Sequence, residues 1–318
     1  QFAKGIQIKY CNRNDISLSF WKKEIQQIGP DFIYLNNLFS PHFSILPLLA
    51  KRFSHINTNW ILAPRGALRV SALAFKPLKK QIYLWVLRYL GFSKNIRFQT
   101  TDEQEAKDVK KYFGKKAAVY PAQNFPFARI SDWQMRKKEV GKLHAVFFAR
   151  IGPIKKLDYL LSILTEVDAE ISLDIIGPIE DASFWEKCQE ISKQFPSKVE
   201  MNYLGEFPHQ EIMNKLKEYH LFCLPTSGEN FGHAIFEAMA AGCPVLISDQ
   251  TPWRNLSEKK IGWDVDLNDR EKFKDSLSLA LAMEQKEWET WSRASWNFCK
   301  EYLLNSQTKE QYMALFSN

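Results

Sequence analysis

Short apolar runs alternate with amphipathic segments along the whole chain. In the first half, the runs at 31–35, 60–63, 95–100 and 117–120 predict buried strands, and an alternating run at 5–10 predicts a strand ahead of them. Helical spacing falls between them, at 18–28, 44–53, 77–90 and from 101 to Gly114. Pro77 suits a first helical turn, Gly91 a stop, and Thr101 with Gln104 a capping box. The second half repeats the alternation, with strands at 144–149, 171–176, 199–203, 221–224 and 245–247. Helices are expected near 158–165, 184–194, 210–218 and 234–239, further helices follow, and the last lies near 300–316. Residues 121–142 mix Pro, Asn, Ser and charge and mark a domain boundary. Strands that alternate with helices imply parallel sheets covered on both faces, so the fold class is α/β, in two domains.

Length and charge sharpen this picture. At 318 residues the chain can fill two cores. Its five cysteines are widely spaced with no Cys-x-x-Cys pair, which argues against a zinc site or disulfide framework and fits a reducing cytoplasm. No apolar run reaches membrane-spanning length. The net charge of +7 is unevenly placed: residues 1–130 hold 21 Lys and Arg against 7 Asp and Glu, a net +14, and the remainder is net −7. The first half therefore suits an anionic partner, either nucleic acid or a lipid surface with its lipid-linked phosphates. Lys76, Lys79, Lys80 and Arg88, interleaved with Phe75, Tyr83, Trp85, Tyr89 and Phe92, would meet such a surface. The pattern favours Leu78, Ile82, Trp85, Val86 and Tyr89 as a core stripe, with only the lysines outside.

The candidate chemistry lies in one stretch. The apolar strand at 221–224 leads into Ser227-Gly228-Glu229-Asn230-Phe231-Gly232-His233, then a helix carrying Glu237. Gly242 and Pro244 end that helix, and Val245-Leu246-Ile247 opens the next strand. A helix N-terminus fed by a glycine loop offers backbone N–H groups and a positive dipole end, which suit a phosphate. Glu237 would accept two hydrogen bonds from a ribose diol; alternatively it only stabilises the helix. Gly177 and Gly205, at strand ends, either let a nucleotide approach the backbone or serve plain turns.

Glu229 and Glu237, eight positions apart and followed by Ala-Gly-Cys-Pro-Val, resemble the signature of the family 4 retaining glycosyltransferases. The likeness continues through 248–256 and Gly262-Trp263, which resembles the bacterial branch that builds lipopolysaccharide and capsule. Arg150 through Leu161 resembles the family's Arg-x4-Lys-Gly-x-Asp-x-Leu-Leu segment, with Lys156 in place of the glycine. The resemblance implies the GT-B architecture: two Rossmann-like domains facing a cleft, at 1–130 and 131–299, with 300–318 packing back on the first. Relatives carry an opening strand, glycine-rich loop and helix that the first domain here is expected to lack.

It further implies a retaining, metal-independent transfer of a sugar from a UDP- or GDP-sugar to a cell-envelope glycan or lipid-linked acceptor, with no cofactor. Arg150, Lys155 and Glu229 would be catalytic: two cations stabilise the departing diphosphate, and Glu229 meets sugar hydroxyls. Glu237, Asn230, Phe231, Gly232, His233, Gly177 and Gly205 would hold the donor. On the acceptor side, Arg65 in Pro64-Arg65-Gly66 would meet a phosphate. Asn36-Asn37 occupies the turn where many relatives place a histidine, and Asn cannot act as a base. That departure leaves a non-catalytic nucleotide-sugar-binding subunit open, and a nucleotide-sugar epimerase shares the architecture. Nucleic acid rests on charge alone, so the expected partners are nucleotide-sugar, glycan or lipid-linked acceptor, and an anionic membrane touched peripherally from the cytoplasm. Asp264-Val265-Asp266 matches the Asp-x-Asp metal pattern of another fold, but is expected in a surface turn.

Overall fold

The computed structural model describes residues 5–53, 58–69, 72–73, 77–89, 91, 94–124, 130, 132–305 and 307–317. The chain divides into two compact units: Gln1–Phe125 with Gln307–Asn318, and Pro126–Ser306. The first holds a parallel sheet of β1 (Phe32–Leu35), β2 (Asn59–Leu62), β3 (Ile96–Thr100) and β4 (Ala118–Pro121), in that spatial order. Its helices include α1 (Leu18–Ile28), α2 (Leu46–Phe53), α3 (Pro77–Tyr89) and α4 (Glu103–Phe113). Trp60, Leu62, Phe98, Leu38 and Leu48 are buried at its centre.

The second unit holds six parallel strands: β5 (Lys142–Phe148), β6 (Glu170–Ile176), β7 (Val199–Gly205), β8 (Leu221–Leu224), β9 (Val245–Ser248) and β10 (Gly262–Val265). Their order is β10-β9-β8-β5-β6-β7. The chain runs outward from β5 to β7, returns to lay β8 beside β5, and continues the other way. The switch point therefore falls between β5 and β8, where open α/β sheets bind ligands. β8 and β9 are buried at every position because helices cover both faces. The helices are α5 (Leu157–Leu164), α6 (Ala182–Ser192), α7 (His209–Leu216), α8 (His233–Ala240), α9 (Arg270–Ala282) and α10 (Gln285–Asn305). Among the described residues, no helix is long and apolar enough to cross a membrane.

Several sequence expectations need correction. Residues 5–10 form no strand: they are exposed and join no ladder, and Lys9 instead pairs with Glu24 of α1 at 2.5 Å. An alternating run becomes a strand only where a sheet edge receives it. The cap of α4 sits one residue later than expected. Asp102 accepts from Glu105 N–H at 2.9 Å, and the Glu105 carboxylate reaches back to Thr101 N–H at 2.8 Å. Asp264 lies in edge strand β10 rather than a surface turn. The predicted last helix is two: its first residues continue α10, and α11 (Thr308–Leu315) belongs to the first unit. There Leu315 is fully buried, and Tyr312 Oη accepts from Gln99 Nε2 at 2.9 Å.

The largest correction concerns α3. Leu78, Ile82, Trp85 and Tyr89 are 73%, 62%, 62% and 75% exposed, whereas Leu84 and Leu87 are buried and Val86 is half-buried. The helix is apolar on two opposite sides, and periodicity alone does not say which side meets the sheet. Phe75, Lys76 and Phe92 lie outside the described residues.

In the second unit, His220 is a half-buried connector. Its Nδ1 accepts from His144 N–H at 3.0 Å, which puts the proton on Nε2, and that N–H donates to Lys137 O at 2.8 Å. Burial pushes its pKa down from about 6.5 to about 4. Because the unfolded chain takes up the proton first, this residue's contribution is intact above about pH 6.5 and is lost as the pH falls through about 4. Urea unfolding between those pH values should show a loss of up to about 3 kcal/mol that is absent in His220→Gln; equal slopes for the two proteins would refute the assignment.

Candidate active site

The chain leaves β5 through Ala149 and Arg150 and is locked to the loop after β6. Ile151 N–H donates to Pro178 O at 2.8 Å, and Glu180 N–H to Ile151 O at 3.0 Å. Gly177 permits this approach: its φ is +136°, and a Cβ there would lie 2.1 Å from Ala149 O. Arg150 is exposed and donates to Glu180 Oε1 at 2.6 Å. Pro153–Lys155 then form a single tight helical turn. Lys156 follows with φ 55° and ψ 38°, the left-handed conformation that glycine adopts most readily, and α5 starts at the next residue.

The loop after β8 packs onto that turn. Ser227 N–H donates to Ile154 O at 2.8 Å, Glu229 N–H to Gln250 O at 3.0 Å, and Ser248 Oγ to Thr226 O at 2.5 Å. These bonds bring Lys155 Nζ into direct contact with Glu229 Oε1, with both side chains largely buried. Gly232, at φ +77°, turns the chain into α8, and a Cβ there would meet Ile235 Cδ1 at 2.8 Å. Among the described residues, no side chain caps α8 at this position. Trp253 Nε1 donates to Phe231 O at 2.6 Å and fixes the turn from behind.

Glu237, one turn into α8, is buried, and burial pushes its carboxyl up, partly opposed by His209, whose Nδ1 lies 3.8 Å from Oε1. It lines a cavity of about 450 Å³ with Phe148, Ala149, Arg150, Gly177, Pro178, His209, His233 and Ala234. The floor is apolar, suited to a flat ring, and the carboxylate is an acceptor for paired hydroxyls.

Arg150, Lys155, Glu229, Gly232, His233, Glu237 and Gly177 thus share the carboxyl edge of one sheet, and Asn230 sits half-buried in the same loop. The Phe231 ring is buried against Trp253 and Phe236, at centroid distances of 5.1 and 6.0 Å, so only its backbone faces the loop. Gly205 has a positive φ with open space around it, the mark of a turn glycine; its carbonyl accepts from Gly177 N–H at 2.8 Å. His209 and Glu180 carried no sequence signal, because each reaches the site from a different element.

In the first unit, Arg65, itself at φ 55°, donates from Nε to Asn36 Oδ1 and from Nη2 to Tyr34 Oη, both at 2.7 Å. Tyr34 Oη in turn donates to Gln99, and burial raises its pKa to about 12. Asn37 is used locally: its Oδ1 accepts from Phe39 N–H at 2.8 Å. Among the described residues, no group of three His, Cys, Asp or Glu is placed to hold a metal ion. Asp264 and Asp266 accept backbone N–H groups of nearby turns, from Leu256 at 2.9 Å and Asn268 at 2.9 Å.

The sequence model of the family described as "Glycosyl transferases group 1" matches residues 131–295, more than half of the chain. The chain belongs to this family and has the GT-B fold. It is 25% identical over 166 residues to the GtfA subunit of a UDP-N-acetylglucosamine–peptide N-acetylglucosaminyltransferase from Streptococcus agalactiae. That match covers 50% of this chain and 31% of the relative, so the chain spans about a third of the relative's length. Among solved structures, WaaG, a glycosyltransferase of lipopolysaccharide biosynthesis, superposes with a TM-score of 0.69 at 13% identity, covering 98% of this chain and 86% of WaaG. S. aureus TarM, solved with UDP, gives 0.69 at 14% identity over 95% and 59%. Anabaena HepE, solved with UDP and glucose, gives 0.65 at 13% over 93% and 82%.

Two substitutions test the local physics. Lys156→Gly relieves the left-handed backbone and should leave stability equal or raise it by up to about 1 kcal/mol, whereas Lys156→Val should lose about 1–2 kcal/mol; urea midpoints in the opposite order would refute the strain. At Glu237, burial raises the folded pKa above the unfolded one, so the ionised carboxylate opposes folding above that pKa and not below the unfolded value. Glu237→Gln should therefore stabilise the protein near pH 7, with the gain disappearing toward pH 4 in denaturant titrations.

Proposed function

We propose that the chain is a retaining glycosyltransferase that moves a sugar from a nucleoside-diphosphate donor to a cell-envelope glycan or lipid-linked acceptor. The observation that carries the reading is the direct pairing of Lys155 with Glu229 across the switch point, beside the uncapped start of α8 and the Glu237 cavity. The base and ribose would lie in that cavity with the diol on Glu237. The diphosphate would lie toward Arg150, Lys155 and the start of α8, with Asn230, His233 and the Phe231–Gly232 backbone around it. As the glycosidic bond breaks, the negative charge that grows on the diphosphate is met by these fixed cations and N–H dipoles. Retention would follow from attack on the face that the diphosphate leaves, with a leaving-group oxygen taking the acceptor proton. UDP, present in the TarM and HepE structures, is the favoured donor nucleotide over GDP.

The basic first unit would face an anionic membrane, where lipid-linked acceptors reside, with Arg65 held by Asn36 and Tyr34 for an acceptor phosphate. A second reading, a non-catalytic nucleotide-sugar-binding subunit, is favoured by that same pairing, since Asn36 supplies no base.

Thermal unfolding with UDP, GDP and ADP tests the donor site. A bound nucleotide at a hundred times its Kd should stabilise wild type by about 2.7 kcal/mol, a shift of several degrees, and Glu237→Ala should abolish most of it. Lys155→Ala should lower kcat of sugar transfer by about 10²–10³ with folding intact. UDP binding without turnover on any glycan or lipid-linked acceptor selects the binding subunit, and no shift with any nucleotide refutes the donor site.

A further inference from the structure

The outward face of α3 has no role in the core of its unit. At 100° per residue, Leu78, Ile82, Trp85 and Tyr89 fall within an arc of about 60°, opposite the buried pair Leu84 and Leu87. Each of the four is more than 60% exposed. Trp85 and Tyr89 stack on one another, with ring centroids 5.2 Å apart and planes 9° from parallel, and present one continuous aromatic surface. Lys79 and Arg88 are exposed and flank the stripe on its two sides. Lys80 does not join them: its Nζ turns inward to Ala72 O at 2.6 Å and lies over the Phe39 ring at 5.2 Å. The helix carries no acidic residue, and the surrounding half of the chain is strongly basic.

From this juxtaposition we propose that the outward face of α3 docks on an anionic lipid surface. Leu78, Ile82, Trp85 and Tyr89 enter the boundary between headgroups and acyl chains, and Lys79 and Arg88 meet lipid phosphates. The proposal gives the membrane-facing reading above a specific element. Trp and Tyr carry an apolar body with a polar edge, which suits that boundary better than a dry core. A stripe this narrow and flanked by cations lies in the interface plane without spanning it. Charge decides among occupants: a second copy would set one basic unit against another, whereas anionic headgroups complement Lys79 and Arg88.

Vesicle flotation of the full chain tests this, using phosphatidylcholine vesicles with and without about a third phosphatidylglycerol, at low and high salt. Wild type should float with the anionic vesicles and lose this at high salt or on the neutral ones. Ile82→Ser with Trp85→Ser, both at exposed positions, should weaken vesicle binding by about tenfold or more. Lys79→Glu with Arg88→Glu should weaken it and flatten its salt dependence. No flotation of wild type, or equal flotation of the Ser variant, overturns the proposal. A wild-type dimer in sedimentation velocity that the Ser variant dissolves also overturns it, in favour of a second copy. The UDP-induced thermal shift, measured on the same samples, separates the two readings. The Ser variant should keep it, and its absence in wild type would refute the donor site while leaving the vesicle result to stand or fall alone.

Discussion

β5 and β8 hydrogen-bond in parallel through Ala145 opposite Leu221 and Val146 opposite Phe222, so their carboxyl ends open on the same edge of the sheet. A parallel sheet sends each strand's exit loop to that edge, and the reversal of strand order at β5–β8 leaves the two exit loops room to approach. Ser227 N–H to Ile154 O then fixes one loop against the other at 2.8 Å. The Lys155–Glu229 pair, the uncapped start of α8 and the Glu237 cavity all depend on this meeting. Gly177, where a side chain would collide with Ala149 O, extends the same close approach to the loop after β6.

The residues gathered there are not arranged for stability. Glu237 keeps an ionisable carboxyl group in a buried position that disfavours its charged form, and Lys156 holds a left-handed backbone that its side chain disfavours. Both candidate diphosphate cations are held by carboxylates of this chain, Arg150 by Glu180 and Lys155 by Glu229. A diphosphate that binds there exchanges one anionic partner for another, so it does not meet bare charges. That exchange limits how much of the attraction appears as affinity and favours a ligand whose charge grows during reaction.

The first unit has a separate polar chain from Arg65 through Asn36 and Tyr34 to Gln99 and Tyr312 of α11. Its α3 shows the limit of periodicity. A helix with apolar residues on two opposite sides satisfies the pattern of a core stripe twice, and the sheet accepted Leu84 and Leu87 where the pattern favoured the stripe from Leu78 to Tyr89.

The alternation of apolar runs and amphipathic segments determined the α/β class, the parallel sheets and most element positions, because a buried parallel strand and a covering helix each impose their own period. Glycine-containing turns placed the loops at Arg150–Lys155 and Glu229–Gly232 for the same local reason. The tertiary structure decided what periodicity leaves degenerate: which face of α3 meets the core, that residues 5–10 find no sheet edge, and that the last helix breaks between the two units. It also brought Glu180 to Arg150 and His209 to Glu237 from distant elements. Those pairs depend on strand order and loop packing, which no local spacing encodes.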